Sequence, residues 1–151
     1  VNMLPTTIAR LSEMKTIVGV KEGSGSVQQA SDIVQMCGDR LTVLAGDDSL
    51  TLPMMAVGGK GVITVTANIV PMEMAGLVKA FAEGRIDEAR RIHFKLSPLF
   101  AALFYETNPI PVKEALGLMR KIDPELRLPL CPMAQDTREK LILVLKDAAL
   151  I

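Results

Sequence analysis

The sequence predicts an α/β chain in which three parallel strands alternate with helices and an all-helical tail follows. Three observations carry this expectation. Short, β-branched apolar runs occur at residues 17–20, 41–45 and 61–65. Segments with helical apolar spacing separate them, and glycines punctuate the changes. Beyond Gly84 the strand signal stops and only helical spacing continues.

Each element has its own local signal. Pro5 opens a helix that carries Ile8 and Leu11 on one side and ends near Met14. Ile17 to Val20 reads as a strand running into Lys21. Ser26 caps a helix with Val27, Ala30, Ile33, Val34 and Cys37 on one face, and Gly38 stops it. Leu41 to Ala45 is a second strand, ending in Gly46-Asp47-Asp48. A helix with Leu50, Met54 and Val57 follows, interrupted at Pro53 and ended by Gly58-Gly59. Gly61 to Val65 is the third strand, and Pro71 opens a helix that ends at Gly84. The tail reads as a helix from Ile86 to about Phe104, with Pro98 as a kink point, and a second from Pro111 to about Met119. Asp136-Thr137-Arg138-Glu139 resembles a capping box opening the last helix, with Leu141, Val144, Leu145 and Ala148 turned inward. The expected domains are residues 1–84, three strand-helix units, and residues 85–151, helical.

Composition narrows the function classes. Seventeen basic and seventeen acidic residues cancel, so no basic surplus recommends nucleic acid or an acidic membrane. Aromatics are 3% of the chain and tryptophan is absent, which argues against a base-stacking platform. Cys37 and Cys131 stand far apart, outside metal or redox spacing, and fit a reducing cytoplasm. No apolar run reaches the roughly 18 residues of a membrane span.

Parallel α/β folds place chemistry where strands end and loops begin. Lys21 is the most unusual residue there. Among apolar strand neighbours it is expected to be desolvated, which favours the neutral, nucleophilic amine. The plainer reading is a wetted strand-end lysine paired with Glu22. Asp47 and Asp48 read as helix caps first, as substrate contacts second and as a metal site last, since no His or Cys stands nearby. Gly46, having no side chain, would let a ligand approach the backbone. Gly23, Gly25 and Ser26 read as a plain loop, with an anion cradle at the helix start as the alternative. Gly58-Gly59-Lys60-Gly61 lacks the hydroxyl residue of a phosphate loop and precedes a strand, so it reads as a helix stop. His93 reads as a packing or surface residue, and Tyr105 carries no expected chemistry.

Four segments together resemble the dihydrodipicolinate synthase and N-acetylneuraminate lyase superfamily. They are residues 17–25 around Lys21-Glu22, residues 44–48 ending Gly46-Asp47-Asp48, residues 58–68 from Gly58 to Asn68, and Asn108-Pro109-Ile110-Pro111-Val112-Lys113. Glu22, the Gly-Asp-Asp turn and the Asn-Pro-x-Pro-Val-Lys segment resemble the synthase branch more than the lyase branch. The resemblance implies the C-terminal half of a (β/α)8 barrel, strands six to eight, with a helical tail. It implies that Lys21 forms an imine with pyruvate, that Gly46, Asp47 and Ile63 contact substrate, and that no metal or organic cofactor takes part. The activity it implies joins pyruvate to aspartate 4-semialdehyde in lysine biosynthesis. A sister pyruvate-dependent aldolase and a non-catalytic half-barrel are the competing readings.

The same resemblance implies that the carboxylate-binding threonines, the proton-relaying tyrosines and a substrate-binding arginine belong to strands one to five, which have no counterpart here. The isolated chain is therefore expected to be inactive. The implied partners are pyruvate, an aldehyde, other copies in a homo-oligomer and a separate N-terminal half. With a half-sheet left open, Val18, Val43 and Ile63 are expected to lose their opposite wall.

Overall fold

A computed structural model describes residues 1–151. The chain divides into two compact units, Val1–Thr64 with Gly76–Arg90, and Val65–Ala75 with Arg91–Ile151.

The first unit is built on a parallel sheet of three strands in the order β1 (Gly19–Glu22), β2 (Thr42–Ala45), β3 (Gly61–Val62). Helices α1 (Pro5–Leu11), α2 (Val27–Cys37) and α3 (Thr51–Ala56) belong to it. The expected cap of α2 forms: the Ser26 hydroxyl accepts from the Gln29 N–H at 3.1 Å, and Gly38 ends the helix at φ 54°. Ile8, Ile33, Cys37, Leu41 and Val43 make one buried cluster, with Val20 and Val34 packed against it. Ala30, Ala45 and Met54 make a second, joined by Val62.

These clusters assign the two faces of the sheet. Val20, Val43, Ala45 and Val62 point toward the helices. Val43 is only 2% exposed, so the expectation that it lies on the open face is corrected. Residues in a strand alternate between faces, and Val43 falls on the helix side. Ile63 does lie on the open face, at 47% exposure, whereas Val18, exposed at 72%, stands before β1 and has the alternation phase of Val20.

β1 is shifted along the chain to Gly19–Glu22, and α3 and β3 also depart from the sequence reading. Pro53 does not interrupt α3, because it stands in the first turn, where backbone N–H groups have no partner within the helix anyway. The third strand is shorter than expected. Ile63 still donates to Ala45 O at 2.8 Å, but Val65 takes helical angles and leads into a 3-10 turn at Thr66–Asn68.

Helices α4 (Pro71–Ala82), α5 (Ile86–Ala102), α6 (Ile110–Leu118) and α7 (Gln135–Asp147) complete the chain. Within the second unit α6 packs on α7, and Arg138 on α7 reaches Glu114 on α6 at 2.7 Å. Leu141 and Leu145 are fully buried, whereas Ala148, the C-cap of α7, is exposed. The predicted capping box does not form. The N-cap is Ala134, and the remote Glu106 carboxylate accepts from the Ala134 N–H at 2.9 Å and from the Thr137 hydroxyl. Asp136 sits two positions beyond the N-cap, inside the first turn, too far in to cap the helix. No helix is long and apolar enough to cross a membrane.

Candidate active site at the strand ends

In a parallel sheet all strands finish on the same side, about 4.8 Å apart. Lys21 is level with Leu44, and Leu44 with Gly61. One row further, the Gly46 N–H donates to Glu22 O at 2.6 Å and the Ile63 N–H to Ala45 O at 2.8 Å. Positions two apart share a face, so Lys21, Gly46 and Ile63 gather at one end of the open face. Asp47 stands one residue beyond. Its carboxylate accepts from the Ser49 N–H at 2.8 Å and the Ser49 hydroxyl at 2.7 Å, which is the capping role the sequence favoured. Asp48 is buried and opens the short helical turn that precedes α3.

Lys21 is the third of the four residues of β1, one short of the strand's end, where the sequence reading had it as the last. It is exposed, so the desolvation expected from its apolar neighbours is absent in this chain. The reason is alternation: its immediate apolar neighbour Val20 packs against the helix-side cluster, and Lys21 turns to the bare side. The alternative pairing with Glu22 is also overturned, for the same reason. Glu22 turns inward and is 3% exposed. Its carboxylate accepts from the Ser24 N–H at 2.6 Å and from the Gln29 side-chain amide at 2.9 Å.

That arrangement bears on the Gly23–Ser26 loop. The Ser24 N–H is already taken by the Glu22 carboxylate and the Gln29 N–H by the Ser26 hydroxyl, which disfavours an external anion there. Gly25 takes φ 82°, a plain turn position. Gly46 is required by close approach: a Cβ there would lie 2.8 Å from Glu22 O and 2.9 Å from Gly23 Cα. Gly58 and Gly59 end α3 as read, their N–H groups returning to Met55 O and Met54 O. No three His, Cys, Asp or Glu side chains come together as a metal site. His93 packs edge-on against Phe94 and tilted against Phe100, with centroids 5.4 and 5.7 Å away. Cys37 is buried, Cys131 exposed, and both are free thiols.

A cleft of about 460 Å³ lies beside β1, lined by Met3, Val20, Lys21, Glu22, Ser24 and Gln29 among others. Sequence reasoning passed over Asn2 and Gln29. The Asn2 amide donates to Gln29 Oε1 at 2.7 Å, and Gln29 Nε2 returns to Asn2 Oδ1 at 3.0 Å. The one available signal was that Gln29 is the residue whose N–H the Ser26 cap receives, placing its side chain at the strand-end side of α2.

Residues 1–148 match the model of the dihydrodipicolinate synthetase family. The chain belongs to that family. A 4-hydroxy-tetrahydrodipicolinate synthase of Thermodesulfovibrio yellowstonii is 55% identical over 151 residues, all of this chain and 52% of the relative. The crystal structure of dihydrodipicolinate synthase from Thermotoga maritima superposes with a TM-score of 0.95 at 42% identity, covering 99% of this chain and 52% of that one. The chloride-inhibited dihydrodipicolinate synthase of Acinetobacter baumannii, complexed with pyruvate, superposes equally well at 0.95 with 37% identity, over 99% of this chain and 52% of that one. The chain spans about half the length of the curated family relatives it matches. Its fold is accordingly a partial α/β barrel with a helical C-terminal end, as the family members predict.

Proposed function

We propose that this chain carries the imine-forming part of a 4-hydroxy-tetrahydrodipicolinate synthase, a lyase, with Lys21 as the residue that bonds to pyruvate. The observation that carries the reading is the placement of Lys21. It stands near the end of a parallel strand, on the same face as Gly46 and Ile63, in a chain of this family. A relative of the same fold is complexed with pyruvate.

The chemistry follows from the amine. The Lys21 nitrogen adds to the pyruvate ketone carbon, and loss of water leaves a protonated imine. That cation draws electrons from the methyl group, which gives up a proton to a base and becomes an enamine carbon. The carbon attacks the aldehyde of aspartate 4-semialdehyde, whose oxygen takes a proton. The amino group of the adduct then displaces Lys21, closing the ring and freeing the lysine. The imine supplies the electron sink, so the reading needs no metal or organic cofactor. Gly46, Asp47 and Ile63 are the substrate contacts of this reading, with Ile63 as an apolar wall.

The proposal extends to a cytoplasmic setting, a homo-oligomer, the division at residues 84 and 85, and a separate chain or segment that supplies the remaining catalytic groups. The relatives bear the synthase name, which does not favour the sister-aldolase reading. Incubation with pyruvate and borohydride, followed by intact mass and peptide mapping, tests it. A reduced adduct on Lys21 that disappears in Lys21→Ala is expected; an adduct on another lysine overturns the assignment.

A further inference from the structure

Glu22 is an acidic side chain turned into the interior one residue after Lys21, and the proposed reaction gives it no task. It is 3% exposed, and burying a carboxylate is unfavourable unless hydrogen bonds compensate. Its two oxygens are committed to different elements. Oε1 receives the Ser24 N–H at 2.6 Å, fixing the turn that leaves β1. Oε2 receives the Gln29 amide at 2.9 Å, fixing the first turns of α2. Gln29 carries the connection on. It exchanges two hydrogen bonds with the Asn2 side chain at 2.7 and 3.0 Å, and reaches Met3 O at 3.4 Å. Ser24 continues it the other way, its hydroxyl receiving the Ser26 N–H at 3.2 Å. Segments that line the cleft beside Lys21 are thus held to one buried carboxylate: the chain before α1, the end of β1, the turn and the start of α2.

We propose that Glu22 is a positioning residue for Lys21, acting through Gln29 and Ser24. This rests on the reading of Lys21 as the imine lysine. The two residues point to opposite faces of one strand, so Glu22 does not touch the substrate. It holds the backbone from which the Lys21 amine is aimed. An amine that must meet a carbonyl carbon within a narrow approach loses rate when its anchor is loose, by tenfold to a hundredfold for displacements of about an ångström.

The test compares the full chain with its Glu22→Ala, Glu22→Gln and Gln29→Ala variants. The rate of borohydride-trapped pyruvate adduct at Lys21 is measured across pyruvate concentrations, per folded molecule as judged by circular dichroism. The expected result is a maximal trapping rate about tenfold lower in Glu22→Ala. Glu22→Gln is expected to recover most of the rate, because its amide can serve Ser24 and Gln29 once the Gln29 amide turns over. Gln29→Ala, at a less buried position, is expected to fall by a few fold, and it keeps the proposal testable if Glu22→Ala does not fold. A purely structural role would lower the melting temperature and leave the rate per folded molecule unchanged in every variant; that result overturns the proposal. No adduct in the unaltered chain removes the Lys21 reading itself, and the positioning proposal with it. An adduct there with equal rates in the variants removes only the role of Glu22.

Discussion

The Gly46 N–H donates to the Glu22 carbonyl at 2.6 Å, and a Cβ on Gly46 would lie 2.8 Å from that same oxygen. The ends of two strands therefore approach each other more closely than any residue with a side chain allows. The obstructing atoms belong to backbone, which cannot swing aside as a flexible side chain would.

Gly46→Ala is expected to destabilise the chain by about 1–3 kcal/mol, the usual range for overpacking. Urea unfolding monitored by circular dichroism would read it as a lower midpoint at unchanged slope. Gly23→Ala makes a suitable control, since a Cβ there meets nothing within 4 Å. Equal midpoints for the two variants would contradict the close-approach account.

The chain alone is expected to lack synthase turnover. Positioned acid-base groups and electrostatic stabilisation each contribute factors of about a hundred or more, and the strand-end face that holds Lys21 is open to water. An assay with pyruvate and aspartate 4-semialdehyde, coupled to the following reductase, should give no rate above background. Adding the N-terminal half of the Thermodesulfovibrio yellowstonii relative should restore turnover if the missing groups lie there. A rate for the isolated chain near that of the whole relative would refute the expectation.

β1 and β3 are the two outer strands, and Val18 and Ile63 are exposed beside them. Unpaired strand edges next to apolar side chains are templates for pairing with another chain. The area left wet is worth roughly 25 cal/mol per Å² of apolar surface on covering. Light scattering over a concentration series is expected to show dimers or larger species. A stable monomer at high micromolar concentration, with slow amide exchange in both outer strands, would count against this.

His93 offers a pH test. Burial disfavours its cation and lowers its pKa from the ordinary 6.5, and its Nδ1 is buried without a hydrogen-bond partner. Below pH 6.5 the unfolded chain takes up this proton before the folded one does, so its contribution favours the native state fully above 6.5 and is lost as pH falls. Denaturant midpoints at pH 7.5 and 5.5 should therefore differ more in the unaltered chain than in His93→Phe. The same difference in both would show that His93 contributes nothing to the slope.

Much of the fold was legible from local signals. The α/β alternation, the Ser26 cap, the Gly38 and Gly58-Gly59 stops, and Lys21 at a strand end all follow from preferences that act within a few residues: periodicity, side-chain capping and glycine's access to positive φ. Tertiary structure decided what depends on residues far apart in sequence. It turned Val43 to the helices and Lys21 to the open face, because only strand pairing and helix packing say which face is covered. It gave the start of α7 to Glu106, 28 residues before Ala134, over the nearer Asp136. It also revealed that Gly46 makes room for the Glu22–Gly23 backbone and that Glu22 bonds to Gln29, since a close approach or a buried carboxylate's partner leaves no periodic trace in the chain that folds to create it.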